Sequence, residues 1–142
     1  MGTGLAPWFN YIGVTLAIQA AVQFASRENR PDFQILLYPF TTMNDFENNI
    51  MFGPDASEEL IRKYSVLEQI KPDTPRAFIA CSADDQIVPF DDSIKYFKEL
   101  QARKIPSVLH IYPTGGHGWC EGPWFHYSRE WKAELERWLV EW

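Results

Sequence analysis

Three short apolar runs, separated by helical patterns, constrain the fold of this chain most strongly. They are FQILLYP at 33–39, RAFIACS at 76–82 and SVLHIYP at 107–113. None of them alternates cleanly between apolar and polar residues, and each is bounded by Pro, Asp or Gly. Near-continuous apolarity is typical of strands that are covered on both faces, as in a parallel sheet. We therefore predict an α/β protein with a short parallel sheet of about three strands.

Segments around these runs carry the spacing of amphipathic helices. Apolar residues recur three or four positions apart in 89–105 and from Trp131 to Trp142, and 13–29 is also predicted to be helical. Helices that connect parallel strands give right-handed crossovers, and helices on both faces give a three-layer αβα arrangement. We expect a single domain over 1–142, with a helical insert at 41–75 that contains SEELIRKY.

Composition disfavours several classes of partner. Thirteen basic and nineteen acidic residues leave a net charge of −6, which disfavours binding to nucleic acid or to an anionic membrane. Cys81 and Cys120 have no metal-type spacing and the chain has three histidines, so we expect neither a metal nor another cofactor. The apolar segment from Ile12 to Ala25 is preceded by no Lys or Arg and is too polar to span a bilayer, so a cytoplasmic location is expected.

Two loops carry residues that can do chemistry together. His117 lies in YPTGGHGWC after the third run, which suits a mobile and exposed imidazole at the end of a strand. Asp84 and Asp85 lie in SADDQIVPF after the second run. Because the carboxyl ends of parallel strands meet at one edge, a carboxylate there can hold the imidazole by its ring N–H. Both aspartates are candidates, and capping of the following helix is the alternative role for either.

The segments RPDFQILLYPF, SADDQIVPF and YPTGGHGW, with the ending EWKAELERWLVEW, resemble the C-terminal half of an α/β-hydrolase. The similarity is to the acetylxylan-esterase-like and prolyl-oligopeptidase-like branch, and it covers about residues 30–142. It implies a carboxylic-ester hydrolase with a Ser-His-Asp mechanism, acting on a small-molecule or carbohydrate ester. Its D-x-x-[VI] motif places the acid at Asp84 and the base at His117, with a slip to Asp85 left open.

The nucleophile that this resemblance implies is missing from the sequence. No G-x-S-x-G occurs, and the nearest similar stretch is GVTLA, with Thr15 at the nucleophile position. A helix-start role is favoured for Thr15. The family's strands before the nucleophile elbow are not identified either, so we expect a partial α/β-hydrolase fold with little or no activity. We expect the chain to be a fragment, to dimerise through the edge of the first run, or to cover that edge with its N-terminal residues.

Aromatic residues after the histidine loop suggest two further roles. Trp119 and Trp124 either form a sugar-stacking platform or pack against the last helix, and the sequence favours neither. The alternative to a hydrolase is a non-catalytic interaction module that forms a homo-oligomer through the exposed sheet edge and the Trp-rich surface.

Overall fold

The computed structural model describes residues 16–41, 53–120 and 122–141. Strands β1 (Phe33–Leu37), β2 (Arg76–Ser82) and β3 (Ser107–Tyr112) form a parallel sheet in the order β1-β2-β3. In the register of this sheet Leu37 lies beside Ala80, and Ser82 lies beside Tyr112. The predicted three-stranded parallel sheet is therefore confirmed, and the loops after β2 and β3 leave the same edge.

Within the described ranges, four helical segments accompany the sheet. They are α1 (16–22), α2 (Glu58–Tyr64), α3 (Phe90–Ala102) and α4 (Ser128–Val140), with short 3₁₀ turns at Arg27–Asn29 and Leu67–Gln69. The N-terminal helix ends earlier than the sequence predicts, because Ser26 N–H bonds to Asn29 Oδ1 at 2.8 Å in a local turn. α2 begins where Ser57 accepts a hydrogen bond from Leu60 N–H.

Of the predicted helical insert, residues 53–75 are described, and they contain α2 and the second 3₁₀ turn. The other residues of the insert, apart from Thr41, lie outside the described ranges, so its bounds and the single-domain interpretation remain predictions. α3 and α4 have 13 residues each, and no described helix reaches the length and hydropathy of a membrane span.

Two apolar cores lie on opposite faces of β2. Ala77 and Ile79 belong to one, with Leu36 and residues of α1 and α3, whereas Phe78 and Ala80 belong to the other, with Trp131 and Trp138 of α4. All four of these β2 side chains are fully buried, and a buried large apolar side chain contributes about 1.5–3 kcal/mol. Because successive side chains of a strand point to opposite faces, coverage on both faces requires the unbroken apolar run. The sheet and its helices form three layers.

Candidate active site

An ion-pair geometry joins the loops that follow β2 and β3. His117 Nδ1 lies 2.8 Å from Asp85 Oδ2. The side chain of Asp85 is 0 % exposed and that of His117 is 9 % exposed. Hydrogen bonds to a charged partner are stronger where water is excluded, so burial favours a fixed pair over a fluctuating one.

The second oxygen of Asp85 is also occupied. Asp85 Oδ1 accepts hydrogen bonds from Ile87 N–H at 2.8 Å and from Val88 N–H at 2.9 Å. The loop before α3 thus folds around its own carboxylate and fixes its direction. A carboxylate accepts but does not donate, so the nitrogen that faces it, Nδ1, carries the proton of the neutral imidazole. The basic nitrogen of that tautomer is Nε2, the arrangement needed for proton abstraction at neutral pH.

Asp84 plays a different part from the one the sequence predicts. Its Oδ1 accepts a hydrogen bond from Gly116 N–H at 2.8 Å, and its side chain is exposed. The partner of the imidazole is Asp85, the alternative that the sequence analysis leaves open beside the favoured Asp84. The two carboxylates diverge because the chain turns after β2 and buries the second side chain under the loop. One feature of the sequence points to Asp85 as the buried aspartate. An aspartate can accept a hydrogen bond from the backbone N–H three residues later, and for Asp85 that residue is the apolar Val88.

The glycines around His117 are needed for the shape of its loop. Gly115 has a φ of 148°, and a Cβ there would lie 2.6 Å from Ser82 Oγ and 2.5 Å from the ring of Phe125. Gly116 has a φ of 60°, in the left-handed region that glycine tolerates. The loop therefore packs directly on the end of β2. The sequence predicts an exposed imidazole, and this prediction is wrong. The ring lies against Tyr38, with 4.5 Å between ring centroids.

The two candidate stacking tryptophans have different environments. Trp119 is 0 % exposed, and its ring is stacked on Phe125 with centroids 4.2 Å apart. Its faces are occupied by protein, so the structure corrects Trp119 from a candidate sugar-binding residue to a core residue. Trp124 is 65 % exposed. Thr15, the weak candidate for the nucleophile, lies outside the described residues.

No metal site is formed by the described part of the chain: no group of three or more His, Cys, Asp or Glu side chains there could hold a metal ion. Burial raises the pKa of the Cys81 thiol to about 11, so this cysteine is an inert thiol beside the aspartate loop. Both described cysteines are free.

His110, at the middle of β3, predicts a specific pH dependence of stability. Its ring lies 5.1 Å from that of Phe78, and burial lowers its pKa against a smaller opposing effect of Glu134. The unfolded chain binds this proton below about pH 6.5, while the folded chain resists it until a lower pH. Stability is therefore lost as the pH falls below about 6.5. In His110→Gln, we expect the urea midpoint to fall less between pH 7 and pH 5; equal slopes in the two proteins would contradict this.

Fold and site together define a class of protein. The aspartate–histidine contact after the last two described strands agrees with the resemblance to the C-terminal half of an α/β-hydrolase. Residues 28–142 match the model of the prolyl oligopeptidase family, and the chain belongs to that family.

Relatives with known names include enzymes that act on xylan. The chain is 33 % identical over 121 residues to an acetylxylan esterase from Xylanibacter ruminicola, a match that covers 79 % of this chain and 25 % of that protein. It is 30 % identical over 100 residues to the endo-1,4-beta-xylanase B of Butyrivibrio fibrisolvens, covering 68 % of this chain and 16 % of the relative. In both cases the chain spans a quarter of the relative's length or less.

Solved structures give the same picture of the fold. An acetyl ester-xyloside bifunctional hydrolase from Caldicellulosiruptor lactoaceticus is similar with a TM-score of 0.81 and 25 % identity, covering 91 % of this chain and 53 % of that one. A sugar hydrolase from Lactococcus lactis is similar with a TM-score of 0.72 and 26 % identity, covering 91 % of this chain and 56 % of that one. The chain spans about half the length of each structure.

Proposed function

We propose that this chain forms the acid–base half of a carboxylic-ester hydrolase site, with His117 as the general base and Asp85 as its orienting carboxylate. The observation that carries the proposal is the 2.8 Å contact between His117 Nδ1 and the buried Asp85 Oδ2. A buried carboxylate on Nδ1 fixes the imidazole tautomer and stabilises the imidazolium that forms during the reaction. Membership of the prolyl oligopeptidase family supports this assignment.

In the proposed mechanism Nε2 of His117 removes the proton of a serine hydroxyl as its oxygen attacks the ester carbonyl. The imidazolium then donates this proton to the leaving alcohol, and an acyl-enzyme remains. Nε2 then deprotonates a water molecule as it attacks the acyl-enzyme, and the imidazolium returns this proton to the serine oxygen as the carboxylic acid is released. This sequence contains no G-x-S-x-G motif. The steps above therefore require a serine that this motif does not supply.

Acetylated carbohydrates are the substrate class that we propose. The names of the acetylxylan esterase and of the acetyl ester-xyloside hydrolase support this choice. Trp124 is the proposed stacking residue, because an exposed aromatic face after the histidine loop suits a sugar ring.

The chain alone is expected to hydrolyse p-nitrophenyl acetate at little more than the rate of buffer, because the nucleophile elbow is missing. Initial rates at neutral pH, with His117→Ala measured in parallel, check this. Robust turnover that His117→Ala abolishes would overturn the expectation and would call for a nucleophile of another type.

A chimera tests the assigned roles directly. In the acetylxylan esterase from X. ruminicola, the segment that aligns with this chain is replaced by the matching residues of this chain. We expect the chimera to release acetate from acetylated xylan, His117→Ala to abolish this activity, and His126→Ala, at an exposed histidine, to retain it. A folded and active chimera that is indifferent to His117→Ala would refute the proposed role of His117.

A homo-oligomer remains part of the proposal, since β1 is a terminal strand of the described sheet and pairs there only with β2. Terminal strands offer unpaired backbone groups to a second chain. The family findings favour a hydrolase over a solely non-catalytic module. Sedimentation at micromolar concentration tests assembly, and a monomer would contradict it.

A cytoplasmic location is likewise proposed, because both cysteines are free and the cytoplasm keeps thiols reduced.

A further inference from the structure

Tyr38, the residue that follows β1, has an unusual backbone conformation. Its φ is +43°, a region that a bulky side chain rarely adopts. Among the described residues Lys104 is the other non-glycine residue with positive φ, at 59°. Lys104 follows the end of α3, where a left-handed residue closes the final helical carbonyls. Tyr38 follows a strand, where no such requirement exists, so its conformation calls for a different reason.

Contacts on both sides of Tyr38 hold the backbone in this conformation. Tyr38 N–H donates to Ala80 O at 2.6 Å, which continues the β1–β2 pairing by one residue. Further along, Thr41 N–H donates to Asp92 Oδ2 at 3.2 Å and Thr41 Oγ1 donates to Asp92 O at 2.9 Å. Strained residues persist where the surroundings fix them, and they cluster at functional sites.

The side chain of Tyr38 shows what this conformation achieves. Tyr38 is 4 % exposed, and its ring centroid lies 4.5 Å from that of His117, at an interplanar angle of 56°. On another side it contacts Trp119 edge to face, with centroids 5.3 Å apart and an interplanar angle of 78°. Partners of different kinds thus contact the imidazole: Asp85 holds Nδ1, and Tyr38 supports the ring.

We propose that Tyr38 is a positioning residue for His117. The hydrogen bond on Nδ1 restrains the imidazole at one atom, and the side chain keeps some freedom of rotation about χ1 and χ2. A ring packed against the imidazole removes this freedom, so that Nδ1 stays on Asp85 and Nε2 keeps one direction. The positive φ turns the Tyr38 ring toward the histidine loop. A catalytic consequence rests on the proposed function, whereas the placement of the imidazole does not.

Nuclear magnetic resonance of the full chain, labelled with ¹⁵N-histidine, tests the proposal. The Nδ1 proton of His117 is expected as a low-field signal, protected from exchange because it is buried against Asp85. In Tyr38→Leu we expect its exchange with solvent to rise about threefold to tenfold, the range that an aromatic contact can contribute. Tyr38→Phe, which keeps the ring, is expected to restore the slow exchange.

Tyr96→Leu is the matched control, because Tyr96 is a fully buried tyrosine in the core on the opposite face of the sheet. A general loss of stability would accelerate exchange in both leucine variants, and equal effects would overturn the proposal. Fast exchange in Tyr38→Phe would also overturn it, since the hydroxyl and not the ring would then hold the imidazole. Failure of the proposed hydrolase function shows instead in the chimera, as acetate release that ignores His117→Ala.

Discussion

Replacing Asp85 with asparagine is expected to lower acetate release by the chimera about 10³–10⁴-fold. The amide oxygen of asparagine can still accept the N–H groups of Ile87 and Val88, so the loop keeps its shape. Its NH₂ group then faces the imidazole, and a donor in that place requires Nδ1 to accept. The proton moves to Nε2, and the base is lost although the geometry is kept.

Asp84→Asn is the matched control for this substitution. The asparagine oxygen can accept Gly116 N–H as the carboxylate does, so we expect a loss of no more than about tenfold, in line with a weaker hydrogen bond. Steady-state kcat on acetylated xylan, measured for both chimera variants, shows which of the two aspartates orients His117. A larger loss in Asp84→Asn would return the acid to the position that the sequence motif predicts.

Trp119→Ala is expected to reduce the free energy of unfolding by about 3–5 kcal/mol, the range for large aromatic side chains removed from a core. The side chain is fully buried and contacts the rings of Tyr38, Phe125 and Trp131. Trp124→Ala removes a ring that is 65 % exposed, and we expect a change of no more than about 0.5 kcal/mol. Urea unfolding of the two variants and the parent chain measures the difference.

The chimera also tests whether Trp124 stacks on a sugar ring. If Trp124 stacks on a sugar, Trp124→Ala raises KM for acetylated xylan and leaves p-nitrophenyl acetate turnover unchanged, because the small ester has no sugar ring. Equal losses with both esters would contradict the stacking role. A folded Trp119→Ala protein with unchanged stability would contradict the placement of Trp119 in the core.

The fold was predictable because each strand is marked by a local sequence pattern, and the same pattern occurs three times. Each strand lies within one near-continuous apolar run, since both faces of the sheet are covered by helices. The helix predicted at 13–29 ends instead at residue 22, because the hydrogen bond between Ser26 N–H and Asn29 Oδ1 closes a separate turn. The apolar pattern does not record such competition between side chains and backbone.

The site was predictable in its loops and less so in its residues. The edge of a parallel sheet brings together whatever follows neighbouring strands, and this placed the aspartates beside His117. Which of two adjacent aspartates turns inward depends on how the loop packs, and that is a tertiary property. Tyr38 was not predicted at all, because its positive φ opposes the local preference of a tyrosine. Trp119 and Trp124 have similar sequence contexts and opposite exposures.

The contacts of the two adjacent aspartates also bear on how this arrangement can pass from one protein to another in evolution. Asp85 binds the imidazole and Asp84 binds the backbone one residue earlier, so two successive residues attach one loop to the other at two points. Both attachments lie between neighbouring strands of a single sheet. Geometry of this kind is assembled by the fold itself, before any substrate or nucleophile arrives. A duplication or recombination that carries these two strands would therefore transfer the aspartate–histidine contact already in register.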